Sequence, residues 1–173
     1  MGIYEIYDNG NQMNEIELIG TCSTTSLLEQ YSQIEHGIKW ITLGAKSRQV
    51  GLQYKETEDP WSSAVGTQRH ETEYTILNPF FKDTLFEDII NKYNLIRTRL
   101  MWVNPYSCYS MHTDSTYRIH VPIITNPQCF FVFKKGIVQH LSAGSIYRLD
   151  TTKSHTFMNC SDTPRLHLIG CIG

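Results

Sequence analysis

The chain has 173 residues, enough for one domain with a core of its own and too few for two. Hydrophobic residues make up 40% and charged residues 18%, which excludes a disordered chain. Lys and Arg number 15 against 17 Asp and Glu, a net charge of −2, so the basic excess of a nucleic-acid binder is absent. No apolar run approaches the roughly 18 residues of a membrane helix, so no membrane span is expected. Residues 1–10, MGIYEIYDNG, have neither the basic nor the apolar region of a secretory signal. Ile6 stands where a myristoylation sequence needs Ser or Thr. The five cysteines (Cys22, Cys108, Cys129, Cys160 and Cys171) include no C-x-x-C pair. They are read as reduced thiols buried as small hydrophobes, in a cytoplasmic protein.

In chain order, residues 24–34 read as a short helix, with Leu27, Leu28 and Tyr31 at helical spacing and Ser23 or Thr24 as cap. Residues 38–43 and 49–54 read as strands. Residues 55–73 form a long polar stretch containing Trp61, of a length that is often functional. It is expected to close over the site as a lid, with Trp61 as an apolar latch. Residues 83–93 read as the stronger helix, because Leu85, Phe86, Ile89, Ile90 and Tyr93 share one stripe and Asp83 or Thr84 supplies a cap. The pattern then changes to seven short strands: 95–103, 117–124, 129–133, 136–140, 145–149, 155–159 and 165–172. Asn-Pro, Lys-Gly, Ala-Gly and Thr-Pro turns separate them. This predicts a single domain, mostly β with flanking helices (α+β): a helix-containing part over about 1–94 and core strands over about 95–173.

The chemistry concentrates in the strand-rich half. In His112-Thr113-Asp114, residues two apart share a strand face, so imidazole and carboxylate aim at one point. His155 follows several short strands later, the distance over which a jelly roll returns the chain to the same end. Two histidines and a carboxylate form the facial triad of non-haem Fe(II) oxygenases, which leaves three coordination positions open. Arg165 opens the last strand, RLHLIGCI, and shares its face with His167 and Ile169. A guanidinium inside a barrel is costly without an anion, and a dicarboxylate is a suitable one. Arg118 and His120 share a face in YRIHVPII, with Ile119 and Val121 on the other. Trp102, Asn104, Tyr106 and Tyr109 lead into the metal loop and are open to lining a pocket or to packing. His36, His70 and His140 read as ordinary packing or surface residues; the role of His167 and the facing of Arg148 stay open.

The stretch 99–173 resembles the aspartyl/asparaginyl β-hydroxylase-like branch of the Fe(II)/2-oxoglutarate dioxygenases. The resemblance is carried by NPYSCYSMHTD, YRIHVPIITN, LDTTKSHTFMN and PRLHLIG. It implies a double-stranded β-helix (jelly-roll, cupin-like) core. It implies that His112, Asp114 and His155 bind iron, that Arg165 holds the distal carboxylate of 2-oxoglutarate, and that Arg118 and His120 also contact the cosubstrate. The chain departs from the peptidyl hydroxylases that name the family in two ways. It keeps a carboxylate, Asp114, where they have none, and it has Met101 where they have a serine that contacts 2-oxoglutarate. The implied function is hydroxylation of an amino acid, or of a prolyl, aspartyl or asparaginyl residue, with O2 consumed and succinate and CO2 released. The alternative is a non-catalytic cupin-like module that binds a metal or an acidic ligand.

Overall fold

The computed structural model describes residues 14–68 and 70–172. The signal and myristoylation readings of residues 1–10 lie outside them. In chain order the elements are β1 (Ile16–Thr21), α1 (Thr24–Ile34), β2 (Ile41–Leu43), β3 (Ser47–Gly51), β4 (Gln53–Tyr54), β5 (Ile76–Leu77), α2 (Leu85–Lys92), β6 (Leu95–Val103), β7 (Ser107–Cys108), β8 (Arg118–Ile124), β9 (Cys129–Phe133), β10 (Val138–Gln139), β11 (Ser145–Leu149), β12 (His155–Asn159) and β13 (Arg165–Ile172). Short 3-10 turns occupy residues 35–37, 71–73 and 79–81.

The strands build two antiparallel sheets. The larger runs β1-β11-β8-β13-β6-β3-β2 and the smaller β10-β9-β12-β7, while β4 and β5 form a separate ribbon. Alternation along each strand gives the large sheet two faces of different chemistry. Leu100 and Trp102 of β6, Ile119 and Val121 of β8, and Leu166 and Leu168 of β13 pack outward in one apolar cluster with both helices. The alternate residues point inward, toward the small sheet, where Met101, Val103 and Ile169 meet Phe131, Phe133 and Phe157. The sandwich expected from the sequence is therefore a double-stranded β-helix with its helices on one outer face.

Local chemistry sets the helices in place. Ser23 caps α1 by accepting from the Ser26 N–H, and Thr84 caps α2 by accepting from the Glu87 N–H. Tyr31 of α1 meets the outer face at Trp102, whose Nε1–H donates to the tyrosine hydroxyl at 3.2 Å. Phe86, Ile89 and Ile90 of α2 are buried, as the predicted stripe requires.

Several predicted elements change at their ends. Strand 49–54 is divided into β3 and β4, because Gly51 and Leu52 turn their N–H groups to Trp61 O and Thr98 O. Strand 38–43 begins only at Ile41, and strand 136–140 is reduced to two residues by the turn at Gly136 (φ 95°). β1 was not expected from the sequence; its burial follows no alternation, and it forms an edge against β11. Cys129 and Cys171 are buried as expected, but Cys108 and Cys160 are exposed. All five thiols are free.

One irregularity shapes the interior. Across β13 and β6, Ile169 pairs with Arg99 and Cys171 with Ile96, so Arg97 and Thr98 together oppose the single Gly170. Arg97 takes a left-handed conformation (φ 49°) at this bulge, which costs roughly 1–2 kcal/mol for a non-glycine residue. A Cβ on Gly170 would lie 2.8 Å from Leu95 Cδ1 and 3.0 Å from Thr98 Oγ1. Gly170→Ala is therefore expected to lose about 1–3 kcal/mol of stability, read from the midpoint of urea unfolding at unchanged m-value.

Candidate metal centre and anion-binding cavity

The two histidines are brought together by backbone pairing. His112 lies outside the regular strands, yet its N–H and C=O bond those of His155 at 2.9 and 2.8 Å. The rings stand 4.4 Å apart between centroids. Each Nδ1 is 2.9 Å from the backbone carbonyl two residues earlier, Ser110 O for His112 and Lys153 O for His155. A carbonyl only accepts, so both Nδ1 atoms carry the proton and both Nε2 lone pairs are left for a ligand. Asp114 is fixed by its N–H, which donates to Thr151 O at 2.8 Å. Its Oδ2 lies 3.7 Å from His155 Nε2.

One ligand atom from each of His112, Asp114 and His155 falls within 4.8 Å of the others. His155 is buried, Asp114 half-buried and His112 exposed, so the group is open on one side. Burial is the largest influence on His155 and, with His112 beside it, holds its pKa below the ordinary value despite the Lys153 carbonyl. The ring is thus neutral, the form that binds a metal. Phe131 stacks against it, 5.1 Å away and tilted by 13°. Two imidazoles and a carboxylate on one side, with no thiolate, fit Fe(II).

Behind Asp114 lies a buried ion network. Glu71, in the 3-10 turn at 71–73, accepts from Arg118 on both oxygens and from Arg97 Nη1. Ser115 and Thr116 hydroxyls donate to its Oε2 at 2.8 Å. Arg118 Nη2 also lies 3.2 Å from Asp114 Oδ1. The sequence reading set Arg118 against the cosubstrate; the structure spends its guanidinium on Glu71 and Asp114. Burial alone would raise the Glu71 pKa, but the bonds and charge of Arg118 with the two hydroxyls bring it down to about 2.

A second chain of contacts runs from Arg165. This side chain is 2% exposed, and its Nε and Nη2 have no partner. Its guanidinium lies over the Phe157 ring, 4.2 Å from the centroid. Nη1 stands 3.5 Å from His167 Nε2, and His167 Nδ1 stands 3.5 Å from His120 Nδ1. Arginine only donates, so His167 Nε2 accepts and its Nδ1–H donates onward. His120 Nδ1 is then the acceptor, and Nε2–H is the donor His120 offers the cavity. Burial holds both histidines well below the ordinary pKa, so both are neutral.

These groups surround a cavity of about 530 Å³. Its wall includes His112, Asp114, His155, Arg118 and His120. Arg165 is not itself part of the wall; its guanidinium packs on Phe157, which is. Arg97 and Arg99, which sequence reasoning missed, also reach the wall. The available signal was alternation: Arg97, Arg99 and Met101 share the inner face of β6. Tyr109 lines the cavity as well. Trp102 belongs to the outer core, Tyr106 is exposed, and Asn104 donates to Ala45 O. Arg148 pairs with Glu17 on the outside. His36 and His70 are exposed and His140 bonds Cys129 O. Trp61 is no latch over this opening: it packs on Phe80 and Phe81 in the outer core. Gly66, Thr67, Gln68 and Glu71 are the part of the long segment that reaches the wall.

The aspartyl/asparaginyl beta-hydroxylase family model matches residues 84–172, just over half of the chain. The chain belongs to this family. The match runs from the cap of α2 to the end of β13, so it contains every residue of the His-Asp-His group and Arg165. No curated protein matches the chain in sequence. Among solved structures, the chain is similar to a 2OG-Fe(II) oxygenase family oxidoreductase from Burkholderia pseudomallei. That match has a TM-score of 0.58 at 12% identity, over 91% of this chain and 83% of that one. HygX from Streptomyces hygroscopicus, solved with nickel, 2-oxoglutarate and hygromycin B, gives a TM-score of 0.53 at 11% identity, over 90% and 81%. A Pseudomonas putida prolyl-4-hydroxylase gives 0.52 at 11%, over 91% of each chain. At these identities the likeness establishes the double-stranded β-helix fold.

Glu71 lies upstream of the matched residues, and its effect on this family member can be tested. A carboxyl whose pKa falls on folding stabilises fully above its unfolded value, 4.5, and loses that contribution as pH falls toward about 2. Glu71→Gln leaves Arg97 without a carboxylate and Arg118 with Asp114 alone, and is expected to cost about 3–5 kcal/mol at pH 7. Urea unfolding of both proteins between pH 7 and pH 2 should show the gap narrowing below pH 4.5.

Proposed function

We propose that the protein is an Fe(II)- and 2-oxoglutarate-dependent hydroxylase of an amino acid or amino-acid residue. The observation that carries this reading is Arg165, a buried guanidinium without an anion in the same barrel as a His-Asp-His group. A module that held only a metal would have no need of it. When bound, iron and 2-oxoglutarate supply the oxidising chemistry: with O2 and a substrate C–H bond they yield the alcohol, succinate and CO2.

The chain's own residues supply position and polarity. His112, Asp114 and His155 hold the metal through Nε2, a carboxylate oxygen and Nε2. The carbonyls of Ser110 and Lys153 fix both rings in that tautomer. Arg118 orients Asp114 and is itself held by Glu71. Arg165 pairs with the far carboxylate of 2-oxoglutarate through its free Nε and Nη2. His120 offers its Nε2–H to the same ligand, its tautomer set by His167. Phe131 and Phe157 keep this end of the cavity apolar and dry, which strengthens each charged contact.

Four substitutions separate the roles. His112→Ala and His155→Ala should each abolish Mn(II) binding in calorimetry and leave the thermal transition of the metal-free protein in place. Arg165→Ala should keep Mn(II) but bind 2-oxoglutarate roughly 30-fold or more weakly, the loss of a two-bond charged contact in a shielded pocket. Arg165→Lys should recover part of it, because an ammonium cannot form the fork. Parental 2-oxoglutarate affinity in Arg165→Ala, measured without oxygen, would overturn the reading.

A further inference from the structure

Both helices pack on the large sheet, and the small sheet turns three sulfur side chains outward. Alternation along β7 and β12 sorts their residues between two faces. Tyr109 lines the cavity, and Phe157 and Asn159 are buried. Cys108, Met158 and Cys160 therefore point the other way; both cysteines are exposed and Met158 is half-buried. Cys108 and Met158 are direct partners across the two strands. The Tyr109 N–H donates to Phe157 O at 3.3 Å, so the adjoining Cys108–Met158 pair is of the non-hydrogen-bonded kind, in which side chains stand closest. Cys160 follows the last residue of β12, and its N–H donates to Gln128 O at 3.0 Å, so the ladder with β9 runs on through it. It stands diagonally across from Cys108.

Spacing decides what these sulfurs can do. Diagonal partners in an antiparallel ladder lie roughly 7–8 Å apart. A disulfide needs Cα atoms within about 7 Å, and both thiols are free. A metal is a longer tether: with metal–thiolate bonds of roughly 2.3 Å, two sulfurs on one ion stand up to about 4.6 Å apart, more than twice the roughly 2.05 Å of an S–S bond. An ion therefore closes a gap that a disulfide leaves open. Thiolate and thioether are soft donors, which select Cu(I), zinc or iron–sulfur clusters. Structural zinc and iron–sulfur clusters want four protein ligands. Among the described residues, no histidine or carboxylate joins these two thiols in a metal-holding group; the one such group is His112, Asp114 and His155. The remaining choice is Cu(I), for which two or three soft donors suffice.

We propose that Cys108, Cys160 and Met158 form a surface site for one Cu(I) ion, held by two thiolates and the thioether. The ion replaces the two thiol protons, which pass to solvent, and its oxidation state does not change. This site is separate from the His-Asp-His group. The chain runs from Cys108 into the loop of His112, and β12 runs from His155 to Met158, so the two sites share strands but face opposite sides of the small sheet. A bound ion clamps β7 to β12, the pairing that continues into the contact between His112 and His155. The site stands whether or not the protein is a hydroxylase.

The test is a titration of Cu(I) into the reduced, metal-free full chain, without oxygen and in competition with a coloured Cu(I) chelator. One ion should bind per chain. Cys108→Ser and Cys160→Ser should each weaken binding roughly 100-fold or more, the advantage of holding the second thiolate on the same scaffold. Both cysteines are exposed, so the thermal transition of the metal-free variants should stay in place. Met158→Leu keeps the shape without the donor and should weaken binding by a smaller factor. Cys22→Ser, a half-buried thiol elsewhere, should change nothing. Mn(II) affinity should be the same with and without Cu(I). Two ions per chain, with one kept at parental affinity in either serine variant, would mean two separate thiols and overturn the proposal. Displacement of Mn(II) by Cu(I) would place the ion on the histidines and overturn it too. So would a chain that takes no Cu(I) from the chelator, or parental affinity in Met158→Leu.

Discussion

The site depends on one buried carboxylate. Glu71 accepts from Arg97, Arg118, Ser115 and Thr116, and so joins β6, β8, the loop that carries Asp114 and the 3-10 turn in which it lies. Without it the inner face of the large sheet would hold guanidiniums with no counter-charge, at several kcal/mol each. With it, Arg118 is rigid enough to hold one oxygen of Asp114 and leave the other for the histidines. The long segment between β4 and β5 therefore serves the interior: its far end supplies the charge around which the metal group is arranged.

The large sheet separates stability from chemistry by strand alternation. Its outer residues meet α1 and α2 in an apolar cluster that includes Leu100, Trp102, Val121 and Leu168. Its inner residues include Arg97, Arg99, Arg118, His120, Arg165 and His167, all buried. A polar inner face is tolerable because the outer face already supplies the core. Charges concentrated in one closed space also act on each other through a low effective dielectric. This is why the histidines are held neutral and why the arginine nitrogens buried without a partner are costly.

The bulge opposite Gly170 belongs to the same design. An extra residue in β6, with Arg97 in a left-handed conformation, bends that strand beside the cavity. Arg97 then reaches Glu71 and the carbonyls of Ala64 and Gly66, while Arg99 keeps to the wall. Met101, where the family resemblance places a serine, pairs with His167 on the inner face.

The sequence by itself determined the strand-rich half, both helices and the coming together of His112, Asp114 and His155. Those features are local: the outward residues of β6, β8 and β13 alternate with period two, the α2 stripe repeats at helical spacing, and H-x-D needs only one extended segment to align its side chains. The distal His155 and Arg165 were legible because jelly-roll connections return the chain to one end at a regular interval. Only the tertiary structure decided who pairs with whom. Glu71 lies far from Arg118 in sequence, in a stretch whose polarity reads as a solvated loop, and no local pattern marks it as a buried counter-ion. That pairing gives Arg118 a buried carboxylate partner, just as the Phe80 and Phe81 contacts seat Trp61 in the outer core. Arg99 was visible as a residue but not as one whose buried Nε has no partner, because absence of a partner is a property of the whole packed interior.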